Sequence, residues 1–363
     1  GAPVWPEPGE IEPLVVSTTR LNRVVEHCTG DFTVTVQAGL PLQTLQTELA
    51  AAGQWLAVDW PWGSGPAGES SGTVGGLMAR GLAGGLRQRY LGVRDQLIGL
   101  ELLRADGTAA KAGGKVVKNV AGYDLMRLFC GSWGSLGLIT ELTLRTYPLP
   151  RHRSGLLLRG PLAALEQLRQ RCLTAPLMPQ RLDWLSPALS GSDHPALLLA
   201  LASVSAAAID DQLQQHQSAA AAAGVETQRL DQEQLLELEA FTRSGRGDWL
   251  LRLGVLPAKA SDLLDEPALR EVSCCLAAGA GLGMAWGSAA QLPAFRVTQL
   301  RQRCQALGGQ LSVLLQPAST SPLPAWEASP ASAMIQAVKR EFDPLQQLAR
   351  GRLPGVPQAG VSA

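Results

Sequence analysis

The pattern of apolar and polar positions in the first 150 residues predicts an alternation of short strands and helices. β-Branched and polar residues alternate over 33–39, which predicts a strand that ends at a glycine. Leu42, Leu45 and Leu49 follow Pro41 at helical spacing, which predicts a helix that ends before Gly53. The same reasoning predicts further strands at 14–16, 55–58, 97–103 and 139–146, a turn of helix over 18–23, a hairpin turn at 105–108, and a helix over 126–129 that Asp124 caps.

The pattern changes after Pro148 and Pro150, which predicts a domain boundary there. Strands and helices then follow twice in the order β-α-β-β-α-β, which predicts a ferredoxin-like arrangement used twice. The strands are expected at 156–158, 181–185, 196–204, 250–256, 272–287 and 310–315, and the helices at 161–173, 206–223, 292–307 and 334–342. We therefore expect an α+β chain with a first domain over 1–150, an α+β cap domain over 151–316, and a linker and C-terminal segment over 317–363 that returns to the first domain.

Composition narrows the class of protein. Lys and Arg total 31 and balance 31 Asp and Glu, so no basic surface points to nucleic acid. None of the six cysteines lies in a C-x-x-C pair, which argues against iron–sulfur clusters and structural zinc and favours reduced thiols in a cytoplasmic protein. The uncharged stretch 272–295 is long enough to cross a membrane, but its glycines and Pro293 favour a strand, a turn and a second strand.

Two glycine-rich stretches, 72–79 and 131–140, organise the first domain, and each runs from small residues into an apolar segment. Glycine lets the main chain approach a phosphate closely, and a helix that begins at Thr73 would point its first N–H groups at an anion. The alternative is that these are ordinary turn glycines in a chain with 39 of them. A formal G-x-G-x-x-G at 63–68 is not the dinucleotide fingerprint, because Pro66 interrupts it and arginines stand where the acid is needed.

Side chains alone supply little recognisable chemistry. The four histidines are scattered, with no metal-ligand spacing and no Ser–His–Asp arrangement. Trp133 could stack on a ring or pack in the core, and Arg352 could reach a phosphate or an acid or lie in a solvated tail. The loop 113–125 is dense in hydrogen-bonding groups and suggests a site. This pattern points to a cofactor that carries the chemistry.

Four motifs together resemble the FAD-binding domain of the vanillyl-alcohol-oxidase / p-cresol-methylhydroxylase (PCMH-type) superfamily. They are Gly-Thr-Val-Gly-Gly at 72–76, Arg-Tyr-x-Gly-x-Arg-Asp at 89–95, Lys-Asn-Val-Ala-Gly-Tyr-Asp-Leu at 118–125, and the stretch at 131–140. The motif at 118–125 is similar, more narrowly, to the FAD-binding E subunits of bacterial glycolate oxidases. The likeness covers most of 14–150 and, more loosely, the ending 342–353.

The resemblance implies that the first domain has two subdomains and binds FAD. The FAD is expected to be non-covalent, since no histidine stands where the superfamily's covalent links occur. By position, 66–76 would approach the pyrophosphate through the backbone, 79–82 would line the next turn, and 134–139 would wrap the ribityl and adenosine side. The implied FAD-binding residues are Pro66, Ala67, Gly68, Gly72, Thr73, Val74, Gly75, Gly76, Ala79, Gly81, Leu82, Gly134, Ser135, Leu136, Gly137 and Ile139.

This sequence departs from the family pattern at three places. The family has a first Gly-rich pyrophosphate loop just before the segment with which this chain begins, so the loop is missing here and we expect FAD affinity to depend on it. The family ending Asn-Pro-Gly-Arg reads Ala-Arg-Gly-Arg at 349–352. The acidic and histidine residues that handle substrate in the related larger flavin subunit are not identifiable in this sequence.

The resemblance implies the FAD-binding subunit of a glycolate (2-hydroxy acid) oxidase complex, in which a hydride passes from the substrate to flavin and electrons leave through partners. The expected partners are the larger flavin subunit and an iron–sulfur subunit, because this chain has no iron–sulfur ligands of its own. Any membrane association would come through them. The alternatives are a non-catalytic assembly subunit with a vestigial flavin site, and a self-sufficient FAD oxidase of a sugar or alditol.

Overall fold

Two antiparallel sheets carry most of the chain. The computed structural model describes residues 2–3, 14–59, 72–114, 124–175, 178–242, 247–319, 322–327 and 329–353. One sheet has five strands and lies within 24–145, and the other has nine strands, eight of them within 152–316. We call the parts of the chain around them the five-stranded unit and the nine-stranded unit.

The elements are numbered in chain order. The strands are β1 (Ala2–Pro3), β2 (Val24–Cys28), β3 (Thr33–Gln37), β4 (Gln54–Trp55), β5 (Leu97–Leu103), β6 (Ala109–Gly113), β7 (Leu138–Arg145), β8 (Tyr147–Pro148), β9 (His152–Arg159), β10 (Arg181–Leu185), β11 (Ala196–Ser203), β12 (Glu226–Leu230), β13 (Trp249–Gly254), β14 (Ser273–Ala277), β15 (Leu282–Gly287) and β16 (Gln310–Gln316). The α-helices are α1 (Leu42–Ala51), α2 (Val74–Arg80), α3 (Arg87–Tyr90), α4 (Val93–Gln96), α5 (Met126–Phe129), α6 (Leu162–Thr174), α7 (Pro187–Ser190), α8 (Ala206–Ala222), α9 (Gln232–Thr242), α10 (Ala260–Leu264), α11 (Ala294–Ala306) and α12 (Ser332–Phe342).

The five-stranded unit confirms the strand and helix predicted from the first apolar pattern. Its strands pair in the order β2-β3-β7-β5-β6. Leu42, Leu45 and Leu49 of α1 are fully buried and share one core with α2 and with strand residues such as Val36 and Leu142. That core fixes α2 across the sheet, and α2 begins in the first glycine-rich stretch.

The nine-stranded unit confirms the doubled β-α-β-β-α-β pattern. Its order is β1-β16-β13-β15-β14-β10-β11-β9-β12. If the four strands of each half are numbered in chain order, both halves read 4-1-3-2, which is the ferredoxin-like arrangement. The halves meet where β10 pairs with β14. The uncharged stretch 272–295 contains the β14–β15 hairpin, and no helix within the described residues is long and apolar enough to cross a bilayer.

Three local predictions are wrong, and one strand was not predicted. Residues 18–23 form a turn but no helix. Residues 14–16 form no strand, and Leu14 and Val15 are largely exposed. Strand β2 was missed because its residues are mostly half-exposed and its stability comes from pairing with β3. Asp124 does not cap α5, because its carboxylate instead pairs with Arg127 at 3.3 Å.

The C-terminal helix α12 packs on the five-stranded unit. Val338 and Phe342 contact its core, and the Phe342 ring meets Phe129 edge-to-face with centroids 5.4 Å apart. A separate apolar cluster joins the two units, with Leu82 and Trp133 from the five-stranded unit. The division of the chain at residues 150 and 316 stays a prediction.

Candidate functional site

Helix α2 starts where the sequence predicts, but its first donors are engaged. Thr73 is the N-cap, and its hydroxyl oxygen accepts a hydrogen bond from the Gly76 N–H at 3.1 Å. The N–H groups of Val74 and Gly75 donate to main-chain carbonyls just after β3, at 3.0 and 2.8 Å. These three donors are therefore engaged within the protein, where they dock α2 onto the sheet, and their part in binding the cofactor stays a prediction.

The two glycine-rich stretches lie against each other. Gly81 ends α2 with φ +60, and a Cβ there would lie 2.8 Å from the nitrogen of Gly131. The Gly131 N–H donates to Met78 O at 3.1 Å, and the Trp133 N–H donates to Ala79 O at 2.8 Å. The two glycine-rich stretches, 72–79 and 131–140, thus contact each other and form one surface. We call this surface the glycine joint, residues 72–82 and 131–137.

At Gly72 and Gly134 the glycine joint leaves space beside the backbone. Their φ angles are +93 and +76, and no described atom lies within 4 Å of the place where either would carry a Cβ. Backbone in this conformation and with this clearance can approach a phosphate or a ring closely. The neighbours Ser135, Leu136, Gly137 and Ile139 are buried in the core.

The other residues near the predicted cofactor site either pack within the protein or lie outside the described residues. Gly75 packs against Ala38, where a Cβ would come within 2.7 Å of the Ala38 Cβ. Leu82 is buried against the nine-stranded unit. Trp133 meets Trp326 edge-to-face at 5.5 Å and is buried, so it packs rather than presenting a face to a ligand. Pro66, Ala67 and Gly68, and 115–123 of the polar loop, lie outside the described residues.

A buried lysine ties the C-terminal segment to the joint. The Lys339 ammonium donates to Ser135 O and Leu348 O, each at 2.7 Å, and to the Asp343 carboxylate. Asp343 also accepts from the Leu348 and Gln347 N–H groups, at 2.7 and 2.9 Å. Burial opposes the charge of Asp343, but these donors outweigh it, so the pKa of Asp343 lies below its usual value. The sequence analysis did not predict these contacts of Lys339.

Two guanidiniums lie close to each other near the joint. Arg80 ends α2, and Arg352 comes from the C-terminal segment; both are half-buried. Burial lowers the pKa of each, and the positive charge of Arg352 lowers that of Arg80 further. Arg352 is therefore not in a solvated tail.

Five charged side chains meet in the contact between the two units. Arg181 pairs with Asp59, with Asp183 at 2.7 Å and with Glu239 at 3.5 Å, while Arg153 pairs with Glu239 at 2.6 Å. Asp59 belongs to the five-stranded unit and also accepts from the N–H of residue 86 at 2.7 Å. The other four belong to the nine-stranded unit. We call this group the interdomain charge cluster; it fixes the loop 82–86 against β10.

The interdomain charge cluster holds three carboxyl groups against two guanidiniums. Asp183 is fully buried, and burial raises its pKa to about 7, although Arg181 pulls it down. A Cβ on Gly85 would lie 2.3 Å from both Asp183 oxygens, so the loop seals them from water. A proton on Asp183 would balance the charges of the cluster.

This proton predicts a pH dependence of stability. Between the unfolded aspartate pKa of about 3.9 and about 7, the folded state holds a proton that the unfolded state has lost, so stability falls as pH rises through this window, by up to about 1.4 kcal/mol per pH unit. Asp183→Asn should flatten the fall in the urea unfolding free energy between pH 5 and 7, and the exposed Asp193→Asn should not. An equally steep fall in Asp183→Asn would refute this assignment.

A small cavity of about 40 Å³ lies beside the interdomain charge cluster. Its walls come from both units and are mostly apolar. They include 82–85 on one side and Leu250, Met284 and Trp286 on the other. A site for a drug-sized ligand is about 300–1,000 Å³, so the cavity as it stands takes water rather than a cofactor ring. Among the described residues, no group of three or more His, Cys, Asp or Glu could hold a metal ion.

The comparison with known families covers the part of the chain that holds the first stretch of the glycine joint. A family model described as an FAD binding domain matches residues 6–113. The chain carries a PCMH-type FAD-binding domain. Its cofactor is FAD, as the motifs predict. The residues present suit this group, because Gly72 and Gly134 leave room for close approach of the backbone and two guanidiniums lie near the joint.

Relatives of this chain include glycolate oxidase subunits and a 2-hydroxy acid dehydrogenase. Glycolate oxidase subunit GlcE of Escherichia coli is 38% identical over 147 residues, which is 40% of this chain and 40% of that protein. Glycolate oxidase subunit GlcD of Bacillus subtilis is 34% identical over 188 residues, 51% of this chain and 37% of that protein. D-2-hydroxyglutarate dehydrogenase of Xanthomonas citri is 36% identical over 149 residues, 41% of this chain and 30% of that protein. The matches thus span about two-fifths or less of these relatives.

The fold of the whole chain is also known from a solved structure. An alkyldihydroxyacetonephosphate synthase superposes with a TM-score of 0.60 over 91% of this chain and 65% of that one, at 13% identity. At this identity the likeness concerns the fold alone. It extends over 91% of this chain and therefore includes most of both units.

Proposed function

We propose that this chain is the FAD-binding subunit of a complex that oxidises a 2-hydroxy acid, with glycolate as the first substrate to test. The observation that carries the proposal is that the first stretch of the glycine joint, 72–82, lies within the matched FAD-binding domain, together with the 38% identity to a glycolate oxidase subunit. Bound FAD supplies the two-electron acceptor for the alcohol carbon. The partners proposed are a larger flavin subunit and an iron–sulfur subunit, in the cytoplasm. The six free cysteines support that location.

The residues proposed to hold FAD have different roles. Gly72 and Gly134 bring the open backbone of the joint close to the cofactor, and the two stretches keep each other in place through Met78 and Ala79. Lys339 keeps the second stretch from moving. The full set proposed is Pro66, Ala67, Gly68, Gly72, Thr73, Val74, Gly75, Gly76, Ala79, Gly81, Leu82, Gly134, Ser135, Leu136, Gly137 and Ile139. Of these, Val74, Gly75 and Gly76 would act by shaping the joint, since their N–H groups are engaged.

A second candidate is a non-catalytic assembly subunit. The engaged donors at the start of α2 favour it, because they leave that helix with fewer groups to offer a phosphate.

Anaerobic reduction of bound FAD separates the candidates. The chain, alone and co-purified with its partner subunits, is loaded with FAD and mixed with glycolate, D-lactate or D-2-hydroxyglutarate. Bleaching of the flavin absorbance by at least one acid, in the chain or in the complex, is expected. A complex in which this chain retains no FAD but still oxidises the acid would refute the proposal and favour the assembly role.

A further inference from the structure

The loop 82–86, which joins α2 to α3, lies directly on the interdomain charge cluster. A Cβ on Gly84 would lie 2.9 Å from Asp59 Oδ2, and a Cβ on Gly85 would lie 2.5 Å from Arg181 Nε. The N–H of residue 86 donates to the Asp59 carboxylate at 2.7 Å. The loop therefore covers the cluster with its bare backbone, and one hydrogen bond ties its end to the cluster.

Asp183 lies under this loop without a hydrogen-bond donor. Its carboxyl group is fully buried. Arg181 Nε lies 2.7 Å from one oxygen, but outside the angle of a hydrogen bond, and among the described residues neither oxygen accepts one. Burial of a carboxylate without donors is costly, whereas a protonated carboxyl group loses much less hydration. The position of the loop therefore suits the protonated form of Asp183.

The charges around Asp183 change sign balance with its proton. The titratable and charged groups that face it come from both units: Arg181 of β10, Asp59 of the five-stranded unit, Glu239 of α9 and Cys275 of β14, with Arg153 of β9 beyond Glu239. With Asp183 protonated, two carboxylates face two guanidiniums. Loss of the proton leaves one negative charge in excess, and burial raises the pKa of Asp183 to about 7, so the change falls near neutral pH.

The interdomain cavity leaves space on the loop side of the cluster. Residues 82–85 form one part of its wall, and Arg181 and Cys275 form another. Its volume of about 40 Å³ has room for about three water molecules. Water can therefore reach an ionised cluster when the loop lifts, without any rearrangement of the two sheets.

We propose that loop 82–86 is a pH-dependent gate between the two units, which stays on the interdomain charge cluster while Asp183 holds a proton and lifts when Asp183 loses it. The chain stays folded in both positions, so this motion differs from the unfolding considered above. Because α2 and the glycine joint end where the loop begins, the motion reaches the proposed cofactor site. It involves neither FAD nor substrate, so it is tested on the full chain without them and stands apart from the proposed function.

Amide exchange of residue 86 measures the opening of the loop. The full chain is followed from pH 5 to 8, and each observed rate is divided by the intrinsic rate to give an opening constant. This constant should rise at least about tenfold from pH 5 to 7 and level off above about pH 7, since a hydrated Asp183 returns toward the ordinary aspartate pKa of about 3.9. Asp183→Asn should remove the rise, and the exposed Asp193→Asn should keep it. An opening constant independent of pH in the unmodified chain would overturn the proposal.

Urea separates opening of the loop from unfolding of the chain. Lifting a loop exposes less surface than unfolding does, so the opening constant of residue 86 should depend on urea less steeply than those of the buried amides in β7 and β11. Equal urea dependence would show that residue 86 exchanges only when the chain unfolds, which would overturn the gate.

Two glycine variants test the contact in the opposite direction. A methyl group at Gly85 would lie 2.3 Å from both Asp183 oxygens, whereas no described atom lies within 4 Å of the Cβ position of Gly30, and neither glycine is left-handed. Gly85→Ala should therefore raise the opening constant at least about tenfold already at pH 5, and Gly30→Ala should leave it unchanged. Equal constants in these two variants would contradict the contact between the loop and Asp183.

Thiol labelling gives an independent measure of the gate. Cys275 lines the cavity behind the loop, while Cys28 lies in β2 of the other sheet. With neutral iodoacetamide at pH 7.5, Cys275 should react at least about tenfold more slowly in Asp183→Asn than in the unmodified chain, and Cys28 should react equally in both. Equal Cys275 rates in the two proteins would overturn the proposal.

Discussion

Arg181→Met is expected to lower the free energy of unfolding by about 3–5 kcal/mol, because it leaves the buried Asp59 and Asp183 without their cation. The side chain is almost completely buried, and its partners come from both units. The loss should therefore loosen the contact between the FAD-binding domain and the nine-stranded unit as well as destabilise the chain. Urea unfolding measures the loss of stability, and amide exchange of residue 86, whose N–H donates to Asp59, measures the loosening of the contact.

The chain offers a matched control for Arg181. Arg229 of the same sheet pairs with Asp210 on the surface, where both side chains are more than half exposed. Arg229→Met should cost about 0–1 kcal/mol, as exposed pairs do. Equal losses in the two variants would contradict the account of Arg181 as the centre of a buried cluster.

Lys339→Met is the second change with a large expected effect, about 3–5 kcal/mol of stability, since Asp343 would stay buried without its partner. The same change frees Ser135 O, so the second stretch of the glycine joint loses its anchor. FAD should bind more weakly in this variant. Fluorescence titration with FAD under native conditions measures this loss separately from unfolding.

A surface lysine provides the comparison. Lys259 pairs with Asp262 at 3.0 Å, and both side chains are about half exposed. Lys259→Met should cost about 0.2–0.5 kcal/mol and leave FAD binding unchanged. If Lys339→Met bound FAD as tightly as Lys259→Met, the contacts of Lys339 would have no part in holding the cofactor site.

Local patterns allow much of the fold to be predicted from the sequence. The spacing of Leu42, Leu45 and Leu49 specifies α1 because a helix needs no distant partner to set its period. The doubled strand and helix order specifies the two ferredoxin-like halves, since short connections leave few topologies. Strand β2 could not be predicted in this way, because it depends on hydrogen bonds to β3 that the sequence of β2 does not indicate.

The site could be predicted in part. The motifs mark both halves of the glycine joint, but the hydrogen bonds that join Gly131 and Trp133 to α2 are tertiary contacts with no local signal. The engaged donors of Val74 and Gly75 arise for the same reason. The interdomain charge cluster has a weak signal in the sequence, since Arg181 and Asp183 alternate with apolar residues and share one face of β10. Its partners Asp59 and Glu239 are distant in sequence and could not be paired with it.

The most direct test of the account is the affinity of FAD for two glycine variants. Gly134 and Gly191 are both left-handed, with φ +76 and +66, and neither has a described atom within 4 Å of its Cβ position. Alanine should therefore impose a similar backbone strain of about 1–2 kcal/mol at each. Only Gly134 lies at the glycine joint. We expect Gly134→Ala to raise the FAD dissociation constant at least about tenfold, a cost of about 1.4 kcal/mol, and Gly191→Ala to leave it unchanged. Equal FAD affinity in the two variants would contradict the assignment of the joint as the cofactor site.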